Sequence, residues 1–192
     1  MEKKQAQSSL HDQLILAGIK ELSEYGVQNF SLRKVANVCG VSCAAPYKHF
    51  KDKQTFIAAI IEYIDVKWHE RHEAVSQKYP SPIRKQLLEI CLEYIRFLVE
   101  NPNFIAIVMM KHDDFGEQYS ALRGQLSRGT YDMVFKYCSE VNMAENVRLK
   151  KTFVVRSLVY GAVLMFYNGE LAYTPENMAI VAASIDREFD LP

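Results

Sequence analysis

The stretch Ser31 to Lys53, SLRKVANVCGVSCAAPYKHFKDK, decides how this 192-residue chain is read. In its first half Leu32, Val35, Ala36 and Cys39 recur at helical spacing behind Ser31, whose hydroxyl suits an N-cap. Gly40 stands where a left-handed residue would end that helix. Ser42 is a second N-cap candidate, and the spacing predicts a second short helix through Cys43, Ala44, Ala45, Tyr47 and Lys48 before Phe50. A connection this short crosses the two helices steeply, as in a helix-turn-helix whose second helix enters the DNA major groove. The small side chains of Ala44 and Ala45 allow close approach to base edges, where a methyl can meet a thymine methyl, while Ser42, Tyr47 and Lys48 can reach phosphates. Taken alone, the same residues also describe a plain helical hairpin.

The flanking sequence weighs toward the first alternative. Upstream, Leu14, Ile15, Gly18, Ile19, Leu22 and Tyr25 fall on one face of a helix that Gly26 ends, so three helices can enclose a small core. Downstream, Asp52 is placed to cap a long fourth helix that starts at Lys53. The formal net charge is zero, but residues 1–53 hold eight Lys or Arg against five acids, leaving +3 there and −3 in the remainder. The positive charge is therefore concentrated on the segment that would face DNA.

Together, Ile15 to Gly26 (ILAGIKELSEYG), Ser31-Leu32-Arg33-Lys34-Val35-Ala36, Gly40-Val41-Ser42, Tyr47-Lys48-His49-Phe50 and Lys53 resemble the tetracycline-repressor-like (TetR) family of bacterial one-component regulators, over about the first third of the chain. Pro46 departs from the pattern, standing where a bulky apolar residue is usual, and Cys43 occupies a position where a base-contacting residue is common. The resemblance implies that Ser31 and Arg33 touch the phosphate backbone, with Arg33 also within reach of a base. It places Ser42, Cys43, Ala44, Ala45, Tyr47, Lys48 and His49 on the recognition surface and Lys53 on a phosphate at the start of the fourth helix, where backbone amides assist. With no Asn, Gln or Arg on the third helix, sequence choice rests on Lys48, Arg33, methyl contacts and DNA shape.

Beyond residue 53 the helical period continues, with no competing strand pattern. The expected fold is all-α, with a three-helix DNA-binding domain (residues 1–53) followed by a helical effector-binding and dimerisation domain (54–192), about nine helices altogether. Phe56, Ile57, Ile60, Ile61, Ile64 and Trp68 mark the fourth helix. Ser81 is a cap candidate for a helix through Ile83, Leu87, Ile90, Tyr94 and Leu98, and Asn101-Pro102 opens a short apolar helix from Phe104 to Met110. Further helices are expected at about Phe115 to Ser139, Ala144 to Gly169 and Thr174 to Phe189.

The penultimate helix carries Val155, Leu158, Val159, Ala162, Met165 and Phe166, and the last carries Met178, Val181, Ala182, Ile185 and Phe189. The resemblance implies a homodimer joined there through a four-helix bundle, with Val155, Val159, Ala162, Phe166, Val181 and Ile185 at the seam; an intrachain core is the alternative. Trp68, Tyr94, Phe97, Phe104, Met110, Phe115, Tyr119 and Phe135 are candidates to line a site for an apolar or aromatic small-molecule effector, as members of the family commonly have, or else to form solid core. His112, Asp113 and Asp114 could orient a polar ligand end or form a solvated turn.

Other classes fit less well. His69 and His72 share a helix face beside Glu70 and Glu73, but a third metal ligand at a readable spacing is missing, so a metal-dependent enzyme is not expected and no cofactor is implied. Cysteines 39, 43, 91 and 138 form no Cys-x-x-Cys pair and are read as reduced thiols of a cytoplasmic protein. No apolar run approaches the ~20 residues of a membrane helix. The expected function is an operator-binding repressor released by its effector, with a ligand-independent DNA-bound scaffold as the alternative.

Overall fold

The computed structural model describes residues 9–109 and 130–190. Helices account for nearly all of them: α1 (Leu10–Asn29), α2 (Leu32–Val38), α3 (Lys53–Lys78), α4 (Ile83–Glu100), α5 (Pro102–Met109), α6 (residues 130–140), α7 (Glu145–Tyr167) and α8 (Pro175–Asp190). Two compact units result. Of the described residues, the first contains 9–65 and 103–109, the second 66–102 and 130–190. Helix α3 supplies its first half to one unit and its second half to the other.

In the first unit Leu14, Ile15, Ile19 and Leu22 of α1, Leu32, Val35 and Ala36 of α2, and Phe56, Ile57, Ile60, Ile61 and Ile64 of α3 are buried as the periodicity predicts. Phe50 stacks flat on Phe56 at 4.1 Å, and Phe30 meets the same ring edge-on at 5.5 Å. Gly18 is required here by close approach, since a Cβ would lie 2.9 Å from Ile60 Cδ1 and 3.0 Å from the Phe56 ring. Gly26, at φ +69°, interrupts α1 at the predicted place, leaving one more turn to Asn29. Tyr25, expected in the core, is instead exposed at that interruption, and its ring carries the Lys34 ammonium at 3.8 Å.

The second unit packs α4 against α7 and α8, and α7 against α8. Leu87, Ile90, Ile95, Phe97 and Leu98 of α4 and Val163 of α7 are buried at its centre, while Leu87, Tyr137 and Cys138 form a smaller cluster with Phe189. Arg84 of α4 clamps the end of α8, its Nε donating to Asp186 at 2.9 Å and its Nη2 to the Asp186 carbonyl and to Asp190 at 3.1 and 3.0 Å. Helix α4 opens on Pro82, with no side-chain cap, so Ser81 does not serve as the predicted N-cap. Thr174 does cap α8, accepting from the Asn177 N–H at 3.3 Å. The predicted helix from Phe115 to Ser139 falls largely outside the described residues, which resume at 130 in helix α6.

Candidate DNA-binding interface and effector region

The DNA-facing side of the first unit is built outward from Ser31, whose hydroxyl accepts from the Lys34 N–H at 3.4 Å and sets the start of α2. Helix α2 closes at Gly40, φ +68°, where the Val41 N–H reaches back to the Ala36 carbonyl at 3.0 Å. Arg33 is exposed on the first turn of α2.

The predicted third helix is not a regular α-helix. Residues 43–45 form turns, and only Pro46–Lys48 is helical, as a single 3-10 turn. The reason lies in Pro46. It has no N–H to donate to the Ser42 carbonyl, which instead accepts from the Ala45 N–H at 2.9 Å, three residues on. The same spacing continues, Lys48 N–H to Ala45 at 3.1 Å and His49 N–H to Pro46 at 3.0 Å. This tight turn leaves Ser42, Cys43, Ala44, Tyr47, Lys48 and His49 exposed but faces Ala45 inward with Pro46, so Ala45 is withdrawn from the surface the sequence assigned it to. His49 lies beside His11 of α1, ring centroids 5.8 Å apart, with Phe50 beneath His11 at 5.2 Å.

Lys53 opens α3 next to Asp52, which caps the helix by accepting from the Thr55 N–H at 2.7 Å and its hydroxyl at 2.8 Å; those bonds hold the Asp52 carboxyl below its ordinary pKa. The Lys53 ammonium donates to the Gln28 carbonyl at 3.1 Å, tying the head of α3 to the end of α1. The sequence reading missed Glu21. It is buried, seven residues past Leu14 on the inward stripe of α1, and its Oε1 lies 3.5 Å from Lys34 Nζ, an ion pair that fixes α2 against α1. The signal was its heptad position, which a charged residue disguises.

Of the aromatic candidates, the second unit brings together Trp68, Tyr94 and Phe97: Trp68 meets Tyr94 edge-on at 4.7 Å and Phe97 at 5.6 Å. His72 and Tyr160 join them, the first 5.8 Å from Trp68 and the second 6.4 Å from Tyr94. Phe104 is buried in the first unit, and Phe135 is 57% exposed with the Arg148 guanidinium 5.8 Å from its ring. Neither is part of that cluster. Met110, Phe115 and Tyr119, and the His112-Asp113-Asp114 segment, lie outside the described residues.

The seam residues also divide. Val159, Ala162, Phe166 and Ile185 are buried within the single chain, Val159 at 6% exposure and Ile185 at 0%, and so offer little area to a second copy. Their apolar face is the one α7 and α8 turn toward each other and toward α4. Val155 and Val181 are half-buried. The large exposed apolar residues of α7 are Leu149, Phe153, Leu164, Met165 and Tyr167, and that of α8 is Ile180.

No cluster of three or more His, Cys, Asp or Glu able to hold a metal occurs among the described residues, and no helix among them is long and apolar enough to cross a membrane.

Residues 14–60 match the family model described as bacterial regulatory proteins, tetR family. The HTH-type transcriptional regulator AcrR of Shigella flexneri is 24% identical over 168 residues, covering 82% of this chain and 78% of that one. A TetR family transcription regulator from Marinobacter aquaeolei shares the fold with a TM-score of 0.75 at 17% identity, over 93% of this chain and 94% of that one. The transcriptional regulator FadR from Bacillus subtilis, solved in complex with stearoyl-CoA, superposes with a TM-score of 0.68 at 14% identity, over 93% of this chain and 97% of that one. The matched residues are those that build the head just described, from Leu14 of α1 to Ile60 of α3, and over that head the chain matches the tetR family of bacterial regulatory proteins.

Proposed function

We propose that the chain is a homodimeric repressor, acting in the cytoplasm, that an apolar or aromatic small molecule releases from operator DNA. The observation that carries this reading is the polar exposed surface Ser42, Tyr47, Lys48 and His49 on a turn locked by Pro46, flanked by Arg33 and Lys53. Lys53 and Tyr47 take phosphates; Lys48 and Arg33 supply the base contacts. On this reading residues 1–53 read DNA and residues 54–192 bind effector and pair the protomers.

The pairing surface moves from the face read in the sequence to the exposed one. Leu149, Phe153, Leu164 and Tyr167 recur along α7 at spacings that keep them within roughly 60° of one another, about a third of a turn from the buried face. Together with Ile180 of α8 they offer the apolar surface of a four-helix interface. Effector and operator are coupled through α3, one helix that begins at Lys53 and carries Trp68 further along its length. The Trp68, Tyr94 and Phe97 cluster supports an effector with apolar or aromatic character, and the Bacillus subtilis FadR, a protein of the same fold, was solved with stearoyl-CoA, whose acyl chain is a long apolar group.

Selection of bound duplexes from a random DNA library, followed by fluorescence anisotropy on the enriched sequence, tests this. The expected result is a palindromic site with half-sites about one helical turn apart, bound by two protomers and released by an apolar ligand. Enrichment of no sequence at all would overturn the reading.

A further inference from the structure

Trp68, His72 and Ser76 follow one another at intervals of four along α3, so they share one stripe about 12 Å long. Trp68 is 4% exposed at one end of it. Beyond Trp68, His72 Nε2 and Ser76 Oγ are withdrawn from solvent, and neither has a hydrogen-bond partner among the described residues. Buried polar atoms are nearly always satisfied, so two orphans one turn apart call for an explanation.

Ser76 sharpens the point. A helical serine ordinarily bonds back to the carbonyl four residues earlier. Ser139, Ser157 and Ser184 of this chain all do so, at 2.9, 2.9 and 2.8 Å. Ser76 does not; its own carbonyl accepts from Gln86 Nε2 at 3.0 Å while the hydroxyl is left unbonded. The local charges are already committed: Arg71, on the same helix, donates to Glu93 at 2.8 Å and to Glu100 at 2.6 Å. Burial, assisted by His69, also pushes the His72 imidazole below its ordinary pKa, toward the neutral form.

We propose that His72 Nε2 and Ser76 Oγ are the polar anchors of the effector site, and that the effector is an uncharged molecule whose aromatic or alkyl body lies in the apolar surroundings of Trp68 and whose hydroxyl or amide group both donates and accepts a hydrogen bond. This rests on the reading that the second unit binds an effector. The chemistry follows from the donor set. A hydroxyl gives and takes one proton, a neutral imidazole nitrogen does one or the other, and Arg71, the cation on the same helix, is already held by Glu93 and Glu100 rather than free for a carboxylate.

Toluene, phenol and benzoate share a ring and differ in bearing a methyl, a hydroxyl or a carboxylate. Titrated in the millimolar range into the full chain, they are read through the emission of Trp68, the chain's single tryptophan. Phenol should bind roughly tenfold more tightly than toluene, because toluene leaves both anchors unsatisfied, and benzoate should bind more weakly than phenol. In Ser76→Ala the preference for phenol over toluene should fall below about threefold, whereas His72→Gln, which keeps a donor and an acceptor, should retain it. Without any probe, Ser76→Ala should melt roughly 2–4 °C above Ser184→Ala, an exposed helical control, because it removes an unsatisfied hydroxyl.

Equal binding of phenol and toluene, tighter binding of benzoate, no response of Trp68 to any probe, or a lower melting temperature for Ser76→Ala than for its control would each overturn the proposal. Labelled operator in the same samples separates it from the release reading. A phenol preference with operator still bound would leave the anchors standing and sink release by ligand, whereas equal release by phenol and toluene would do the reverse.

Discussion

Replacing Phe153 with Ala separates the two faces of α7. Phe153 is 73% exposed in the single chain. An aromatic side chain offers on the order of 200 Å², so roughly 150 Å² of Phe153 is available to a partner, and two-fold symmetry doubles this to about 300 Å². At ~25 cal/mol per Å² complete burial of both copies would contribute about 7 kcal/mol to association. Contact from one side and the retained Cβ reduce the loss on truncation to roughly 3 kcal/mol, a rise of about 100-fold in the dimer dissociation constant. Sedimentation equilibrium over a range of concentrations measures that constant. Thermal unfolding at a concentration where both proteins are monomeric should show little change, since Phe153 contributes little to the intrachain core. Ala162→Glu makes the contrast. Ala162 is 6% exposed on the inward face, so a carboxylate there is buried in the chain's own core and should lower monomer stability by several kcal/mol. A Phe153→Ala dimer as tight as wild type to within about threefold would refute the assignment, as would an Ala162→Glu protein that folds normally and simply dissociates.

Lys53→Ala should weaken binding to all operators alike and reduce the magnitude of the salt slope by about 0.9 per head; for a dimer, the wild-type advantage would shrink roughly 12-fold between 50 and 200 mM salt, and an unchanged slope would leave Lys53 with only its structural bond to Gln28. Ser31→Ala removes the cap of α2 and should cost about 1 kcal/mol, or roughly 2–4 °C in melting temperature, with the capped Lys34 N–H the first in α2 to lose protection in hydrogen exchange; unchanged protection there would mean the cap contributes nothing. His72 gives a pH signature. Its folded pKa lies below the ordinary value of 6.5, so the unfolded chain takes up the proton more readily; stability is fully present above about pH 6.5 and declines as pH falls from there toward the lower folded value. His72→Gln should flatten melting temperature against pH in that window, and an unaltered slope would assign the titration to another group.

The buried residues of α1, α2 and α3 could be read from periodicity because each helix of the head has one apolar stripe facing one small core, and Gly26, Gly40 and Asp52 act within their own turns. The third helix could not. Its residues have helical propensity, but the missing N–H of Pro46 shifts the bonding from four residues to three, and that shift turns Ala45 inward. The seam was ambiguous for a different reason. Helix α7 has two apolar faces, and periodicity finds apolar faces without saying which one the chain itself covers; α4 takes the face with Val159 and Ala162 and leaves Phe153 outside. His72 and Ser76 were invisible as a pair, because an orphaned atom is defined by its surroundings rather than by its residue type.

If the proposed reading surface contacts bases directly only through the short 3-10 turn Pro46–Lys48, that turn limits how much sequence information each head can extract. Three residues at a rise of about 2.0 Å span roughly 6 Å, under two base-pair steps of 3.4 Å each. If each head resolves about two base pairs directly, a dimer specifies about four, and a pattern that small recurs by chance roughly every 250 base pairs, far too often to mark a promoter. The remaining bits must come from quantities no side chain touches: the fixed distance between heads, which acts as a ruler for half-site spacing, and the energy needed to bend or narrow the DNA between them. Such a regulator should tolerate many single-base changes within a half-site yet reject a one-base-pair insertion at its centre, because the insertion alters the spacing and rotates one half-site about 34° around the duplex.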